Sequence, residues 1–211
     1  MVRQPAKRDP EAEGRSRRAG VGKVCTMVCV VLAAACDTAV RSGESAVEIV
    51  VDRLEAAPAG STTYTTVLES DVLTSGTPHA DLGRIVLRAR LRDPGSSDAP
   101  TAPSAMNVAT LTRYRVAFRR SDGRGVEGRD VPYAFDGSVT VTVDESATPI
   151  GFTLVRPQAK LEPPLRTLVG RGGASVLSTF ADVSFYGRDA RGRTVAATAS
   201  MTVHFADWEE P

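Results

Sequence analysis

Between Ala46 and Phe205 the apolar residues of this chain recur at every second position, and that period fixes the class of structure it can build. Ile85, Leu87, Ala89 and Leu91 alternate with Val86, Arg88, Arg90 and Arg92. Tyr114, Val116 and Phe118 alternate with Arg113, Arg115, Ala117 and Arg119, and Val139, Val141 and Val143 are separated by Thr140 and Thr142. Side chains of a strand point to opposite faces in turn, whereas an amphipathic helix needs a period near 3.6. Ile150, Phe152 and Leu154 follow closely on Asp144-Glu145-Ser146-Ala147, which predicts a hairpin. Ala181, Val183 and Phe185 meet the alternating run Val195 to Phe205 across Asp189-Ala190-Arg191-Gly192, where Gly192 supplies the positive-φ position of a turn. Earlier strands are expected over residues 46–54 and 62–73.

About eight strands result, each with one apolar and one polar face, the pattern of antiparallel sheets wet on one side. Two such sheets cover their apolar faces against each other, so the expected architecture is an all-β, antiparallel β-sandwich, with an up-and-down barrel as the alternative. Asp93 to Ala105, rich in Pro, Ser and Ala, reads as a loop. Within residues 157–174, the stretch near 163–169 suits one short crossover helix with Pro164 in its first turn, ended by Gly170, Gly172 and Gly173. The patterning of residues 46–206 resembles an immunoglobulin-like or fibronectin-like sandwich. It lacks the cysteine pair and central tryptophan of a true immunoglobulin domain.

The chain before Ala46 follows a different logic. Seven Lys or Arg in residues 1–23 (Arg3, Lys7, Arg8, Arg15, Arg17, Arg18 and Lys23) precede the apolar run from Val24 to Leu32, which is followed by Ala33-Ala34-Ala35-Cys36. A basic head held on the cytoplasmic side and a short apolar run make an export signal. A spanning helix needs about 20 apolar residues, and this run is shorter. The order basic head, apolar run, small residues and cysteine resembles a bacterial lipoprotein signal peptide with its lipobox. That resemblance implies a diacylglyceryl thioether on Cys36 and cleavage just before it, with Ala33 where the family prefers leucine. An ordinary secretory signal cut after Ala35 is the other reading. The expected organisation is a signal peptide over 1–35, a lipidated cysteine and tether over 36–45, and a sandwich domain over 46–211. The nine residues after Cys36 reach at most about 30 Å.

Cleavage changes the charge. Of 26 basic and 25 acidic residues, residues 1–35 hold seven and three, leaving 19 and 22, a net charge of −3. A mildly acidic mature protein argues against bulk binding to nucleic acid. Lys160 is its sole lysine; arginine supplies every other basic side chain. With Cys25 and Cys29 in the apolar run and Cys36 at its end, the rest of the chain has no thiol for a disulfide, a nucleophile or a metal.

The candidate partner surface is the arginine set Arg88, Arg90, Arg92, Arg113 and Arg115, extended by Arg119, together with the sole tryptophan, Trp208. On neighbouring strands these arginines would form a basic face for an envelope protein or an anionic envelope polymer. With acids interleaved they form a solvated, neutralised face instead. Trp208 either anchors a partner or closes one end of the domain. Asp122, Glu127, Asp130 and Asp136 lie in loops that could offer calcium oxygens, but no Asp-x-Asp-x-Asp-Gly run is present and Asp-Gly is ordinary turn chemistry. His79 and His204 have no neighbour at zinc-ligand spacing, and nothing resembles a Gly-x-Ser-x-Gly nucleophile elbow. The sequence therefore predicts no cofactor, no metal and no catalysis. The expectation is a membrane-anchored extracytoplasmic lipoprotein with a binding or structural role in the cell envelope. The alternative is an exported enzyme or small-ligand carrier using loops at one end of the sandwich.

Overall fold

The computed structural model describes residues 44–102 and 104–208. The proposed signal peptide and Cys36 lie outside the described residues. From Glu44 onward the chain forms one compact unit of two β-sheets.

Eight strands carry the alternation: β1 (Val47–Ala57), β2 (Val67–Asp71), β3 (Asp81–Leu91), β4 (Ala109–Arg120), β5 (Phe135–Val143), β6 (Thr148–Val155), β7 (Leu177–Asp189) and β8 (Thr194–Ala206). One sheet has the order β1-β3-β6 and the other β2-β8-β7-β4-β5. Their inner faces share one apolar core. At its centre Tyr114 stacks on Phe185 at 5.7 Å, and Phe152 from the opposite sheet meets both rings edge-on at 5.4 Å. Each fully buried ring of this kind contributes about 1.5–3 kcal/mol. Two rings need glycine on a neighbouring strand. A Cβ on Gly83 would fall 2.3 Å from the Phe152 ring, and one on Gly137 would fall 2.2 Å from that of Tyr114.

The structure departs from the expected all-antiparallel arrangement at β2, which pairs with β8 in parallel. After β1 the chain doubles back once, Ala56 and Thr65 exchanging both backbone hydrogen bonds at 2.9 and 2.8 Å. It then turns again, so β2 resumes the direction of β1. Ser45 bonds to Asp189 at the β7–β8 turn, so β1 and β8 start at the same end and run the same way. The expected hairpin between Val143 and Ile150 is also absent. β5 pairs with β4 and β6 with β3, and Asp144 accepts a hydrogen bond from the Ala89 N–H of β3 at 2.5 Å. The four-residue link carries the chain from one sheet to the other, which brings Ile150, Phe152 and Leu154 over the core as a hairpin could not.

The β7–β8 hairpin forms as expected, with Gly192 at φ 79°. The crossover is more broken than one helix: α1 (Pro157–Lys160) is followed by 3-10 turns at Leu165–Leu168 and Gly172–Ala174. It connects the two sheets, from β6 to β7.

Candidate functional site

Strand pairing places the two arginine rows on different sheets. Arg88, Arg90 and Arg92 lie on or just after β3, and Arg113, Arg115 and Arg119 lie on β4. Each row meets acids one strand away. On the three-stranded sheet Arg84 pairs with Glu55 at 2.8 Å, Arg88 with Asp52 at 2.8 Å, Arg90 with Glu48, and Arg92 with Glu44 at 3.5 Å. On the five-stranded sheet Arg115 reaches Asp136 at 2.8 Å, Arg113 the same carboxylate at 3.8 Å, and Arg119 reaches Asp182 at 3.0 Å. Arg113 also lies over the Tyr186 ring and Arg119 over that of Phe180. Exposed pairs of this kind contribute about 0–1 kcal/mol each, but they neutralise the field of both rows. The arginines do not form one basic patch.

A cavity lies at the end where β1 begins. It is an open groove of about 690 Å³ between the end of β3, the 92–108 loop and the β5–β6 link. Ala89, Leu91 and Val108 give it apolar wall, and the stems of Arg88 and Arg90 flank it. Thr101, Ser104 and Asn107 come from the loop, and Asp144, Glu145 and Ser146 from the link. Local bonds shape both segments. Asn107 Oδ1 accepts from the Ser104 N–H at 2.6 Å, the Thr101 N–H reaches the Pro94 carbonyl at 2.8 Å, and Asp144 accepts from the Ser146 N–H at 2.8 Å. Apolar wall with hydroxyl, carboxamide and carboxylate groups at its rim suits a ligand or peptide that buries an apolar group. Of the sequence-predicted residues, Arg88 and Arg90 line this groove; Arg92, Arg113, Arg115 and Trp208 do not.

Trp208 sits at the far end of the molecule, half-buried. Its backbone N–H bonds to Asp71 at 3.0 Å, and its ring packs close over Gly173. Of the loop acids, Asp122, Asp130 and Asp136 are taken up by arginines. Hydrogen bonds from Arg124, helped by Arg120, hold the Asp122 carboxyl well below its usual range, and Arg129 does the same for Asp130. Among the described residues no cluster of three His, Cys, Asp or Glu side chains could hold a metal ion. His204 Nδ1 lies 3.0 Å from Ser178 Oγ, and His79 is exposed in the loop before β3.

Sequence reading missed a buried charged pair. Lys160 from α1 and Asp81 from β3 are each 1% exposed in their side chains, and Nζ lies 3.0 Å from Oδ2. Asp81 also accepts from Ser70 Oγ of β2 at 2.6 Å and from the Ala59 N–H at 3.0 Å. Burial pushes the Asp81 carboxyl above its usual range, against the pull of Lys160, Ser70 and Ala59 toward the ionised form. The cluster ties both sheets to the crossover. Its one sequence signal was the solitary lysine in an arginine-only domain.

A second polar tie closes the opposite end. Asp189 accepts from Ser45 Oγ at 2.8 Å and from the N–H groups of Arg191 and Arg193 at 2.9 and 2.8 Å. Desolvation opposes ionisation of Asp189, but the Arg193 and Arg191 amides and the Ser45 hydroxyl together outweigh it and hold the carboxyl below its usual value. Compared with known proteins, the chain matches no family model, no curated protein and no solved structure.

Proposed function

We propose that this chain is a lipid-anchored, extracytoplasmic binding module of the bacterial cell envelope, with an immunoglobulin-like sandwich as its folded part and the end groove as its contact site. The observation that carries the binding role is the groove between the end of β3, the 92–108 loop and the β5–β6 link. Loops at one end of a two-sheet scaffold are where a rigid framework offers contacts without disturbing its core.

The strand order supports the fold reading. Sheets of order β1-β3-β6 and β2-β8-β7-β4-β5 resemble in their strand order an immunoglobulin-like arrangement, with two further edge strands on the second sheet, β2 lying parallel to β8. The anchor rests on the sequence from Arg3 to Cys36. Eight residues separate Cys36 from Ser45, which bonds to Asp189, and eight residues span at most about 30 Å. On this reading the domain, its groove included, works close to the membrane. Its partner would be an envelope protein, or an envelope polymer presenting apolar groups, held close to that surface.

A second reading, a small-ligand carrier, is favoured by the volume of the groove, which falls within the range of about 300–1,000 Å³ common to small-molecule sites. Mass spectrometry of the detergent-extracted protein tests the anchor: an acylated N-terminus at Cys36 supports it, and an unmodified one sinks it. A photo-crosslinking residue at Ser104 tests the contact site in intact cells, with Thr198 on the outer face of β8 as the control. Protein or polymer adducts from Ser104 and none from Thr198 support the envelope partner. Equal labelling at both positions removes the groove from the proposal.

A further inference from the structure

Among the described residues Lys160 is the sole lysine, and none of the arginines is buried. The one cation taken into the core is therefore also the one whose nitrogen can act as a nucleophile. A guanidinium stays protonated and delocalised, whereas an amine that has given up its proton carries a free lone pair. Lys160 Nζ lies 3.0 Å from Asp81 Oδ2 and has no hydrogen-bond partner elsewhere. Both oxygens of the carboxyl are held. Ser70 Oγ donates to Oδ2 at 2.6 Å, and the Ala59 N–H donates to Oδ1 at 3.0 Å. A buried ammonium with a single acceptor group is an expensive arrangement, since its three N–H donors need partners. Burial also pushes the Asp81 carboxyl toward its protonated form.

We propose that Lys160 and Asp81 condense to an amide, an intramolecular cross-link between α1 and β3. The shared proton first passes from Nζ to Oδ2, which leaves two neutral groups in place of two buried charges. The Nζ lone pair then attacks Asp81 Cγ and forms the C–N bond. Negative charge gathers on Oδ1, where the Ala59 N–H already points. A second proton moves from the nitrogen to the Oδ2 hydroxyl, the Cγ–Oδ2 bond breaks, and Oδ2 departs as water. Oδ1 remains as the amide oxygen. One water leaves for each link, nothing is oxidised or reduced, and no co-reactant is needed. Contact between the groups and exclusion of solvent replace the activation such a bond requires in water. With no cysteine after Cys36 the domain has no disulfide, and the amide closes residues 81–160 into a covalent ring instead. The anchor and the groove play no part in this inference.

The test is mass spectrometry of tryptic fragments of the full chain, sampled at intervals after folding. Each sample is unfolded in urea before digestion, which disperses an ion pair and leaves an amide intact. The expected product joins residues 54–84 to residues 130–166, uncut after Lys160 and lighter than the two fragments together by one water. Lys160→Arg keeps the charge without the nucleophile and should give unlinked fragments only, as should Asp81→Leu; circular dichroism checks that each is folded. Chain sampled before the link forms still holds the ion contact, and it is the reference for the unfolding of variants at either position. Wild-type chain that yields only unlinked fragments, cut after Lys160, after days of incubation overturns the inference. A link that persists in Lys160→Arg also overturns it, by placing the amine elsewhere.

Discussion

The three-stranded and five-stranded sheets grow from the same alternation, yet their outer faces and margins are finished differently. Across β1 and β3 the narrow sheet builds a ladder of four arginine–carboxylate pairs, Arg84 to Arg92 against Glu55 to Glu44, and its free edges carry charge, a register shift or proline. The wide sheet spreads a mixture over its outer face: two carboxylates shared by three arginines, arginines on aromatic rings, and the Ser184–Thr198 hydroxyl pair at 2.9 Å. Its edge strand β5 is uncharged from Gly137 to Val143, with Asp136 before that stretch taken up by Arg113 and Arg115. The narrow sheet is finished by electrostatics within one strand pair. The wide one mixes ion pairs, cation–ring contacts and hydroxyl pairs across several strands.

The polar ties through the core are the place where this contrast can be broken most severely. Lys160→Met leaves Asp81 buried without its counter-ion and should cost about 3–5 kcal/mol in urea unfolding. Lys160→Met with Asp81→Leu removes both charges and should recover most of that loss. A single variant within about 1 kcal/mol of wild type would show that the sheets are held together without this tie.

The two ring-over-glycine contacts compare a central strand with an edge. Gly83→Ala drives a methyl into Phe152, which is wedged between Tyr114 and Phe185, and should cost about 1–3 kcal/mol. Gly137→Ala pushes on Tyr114 from an edge strand that has room to shift, so the cost should be smaller. Equal losses in thermal unfolding would mean the margin is as rigid as the centre.

Asp189→Ala should cost about 1–2 kcal/mol near neutral pH, because three hydrogen-bond donors lose their acceptor. The folded-state acidity of Asp189 is depressed, so its contribution is fully present above the unfolded value near 4 and fades as the pH falls below it through the folded value. The stability gap between variant and wild type should therefore be constant from pH 7 to about 5 and close below about 4. A gap that persists unchanged at pH 2.5 would assign the effect to packing.

The smallest effects belong to the outer faces. Arg88→Ala and Arg115→Ala should each change stability by less than about 1 kcal/mol, and less still in 0.5 M salt. A larger loss for Arg88 than for Arg115 would show that the complete ladder is worth more than its separate pairs.

Much of this fold was legible in the chain, because burial follows the period of two at Ile85, Leu87, Tyr114, Val116, Phe118 and Phe152. The β7–β8 turn was legible too, Gly192 marking it. What escaped reading depends on contacts distant in sequence. The direction of β2 is set by a double reversal that leaves no mark in a five-residue strand. The link from Val143 to Thr148 has the length and residues of a hairpin, and only the need to cover the core sends it to the other sheet. For the site, the arginines were visible while their partners were not: Asp52, Glu48 and Asp182 come from strands placed by tertiary pairing. The groove has no sequence signature beyond a long loop.

The fixing of Ser45 to Asp189 also has a mechanical side. Just before β1, the Glu44 carbonyl accepts from Arg193, the Ala46 carbonyl accepts from the Arg92 N–H, and Ser45 donates to Asp189. Any tension arriving from the N-terminal side is thus divided at once between β3 of the narrow sheet and the β7–β8 turn of the wide one. A domain fastened by its leading end is usually opened by peeling its first strand. Here the residues just before that strand are bonded to both sheets, so a pull from that side would bear on both before it reached β1.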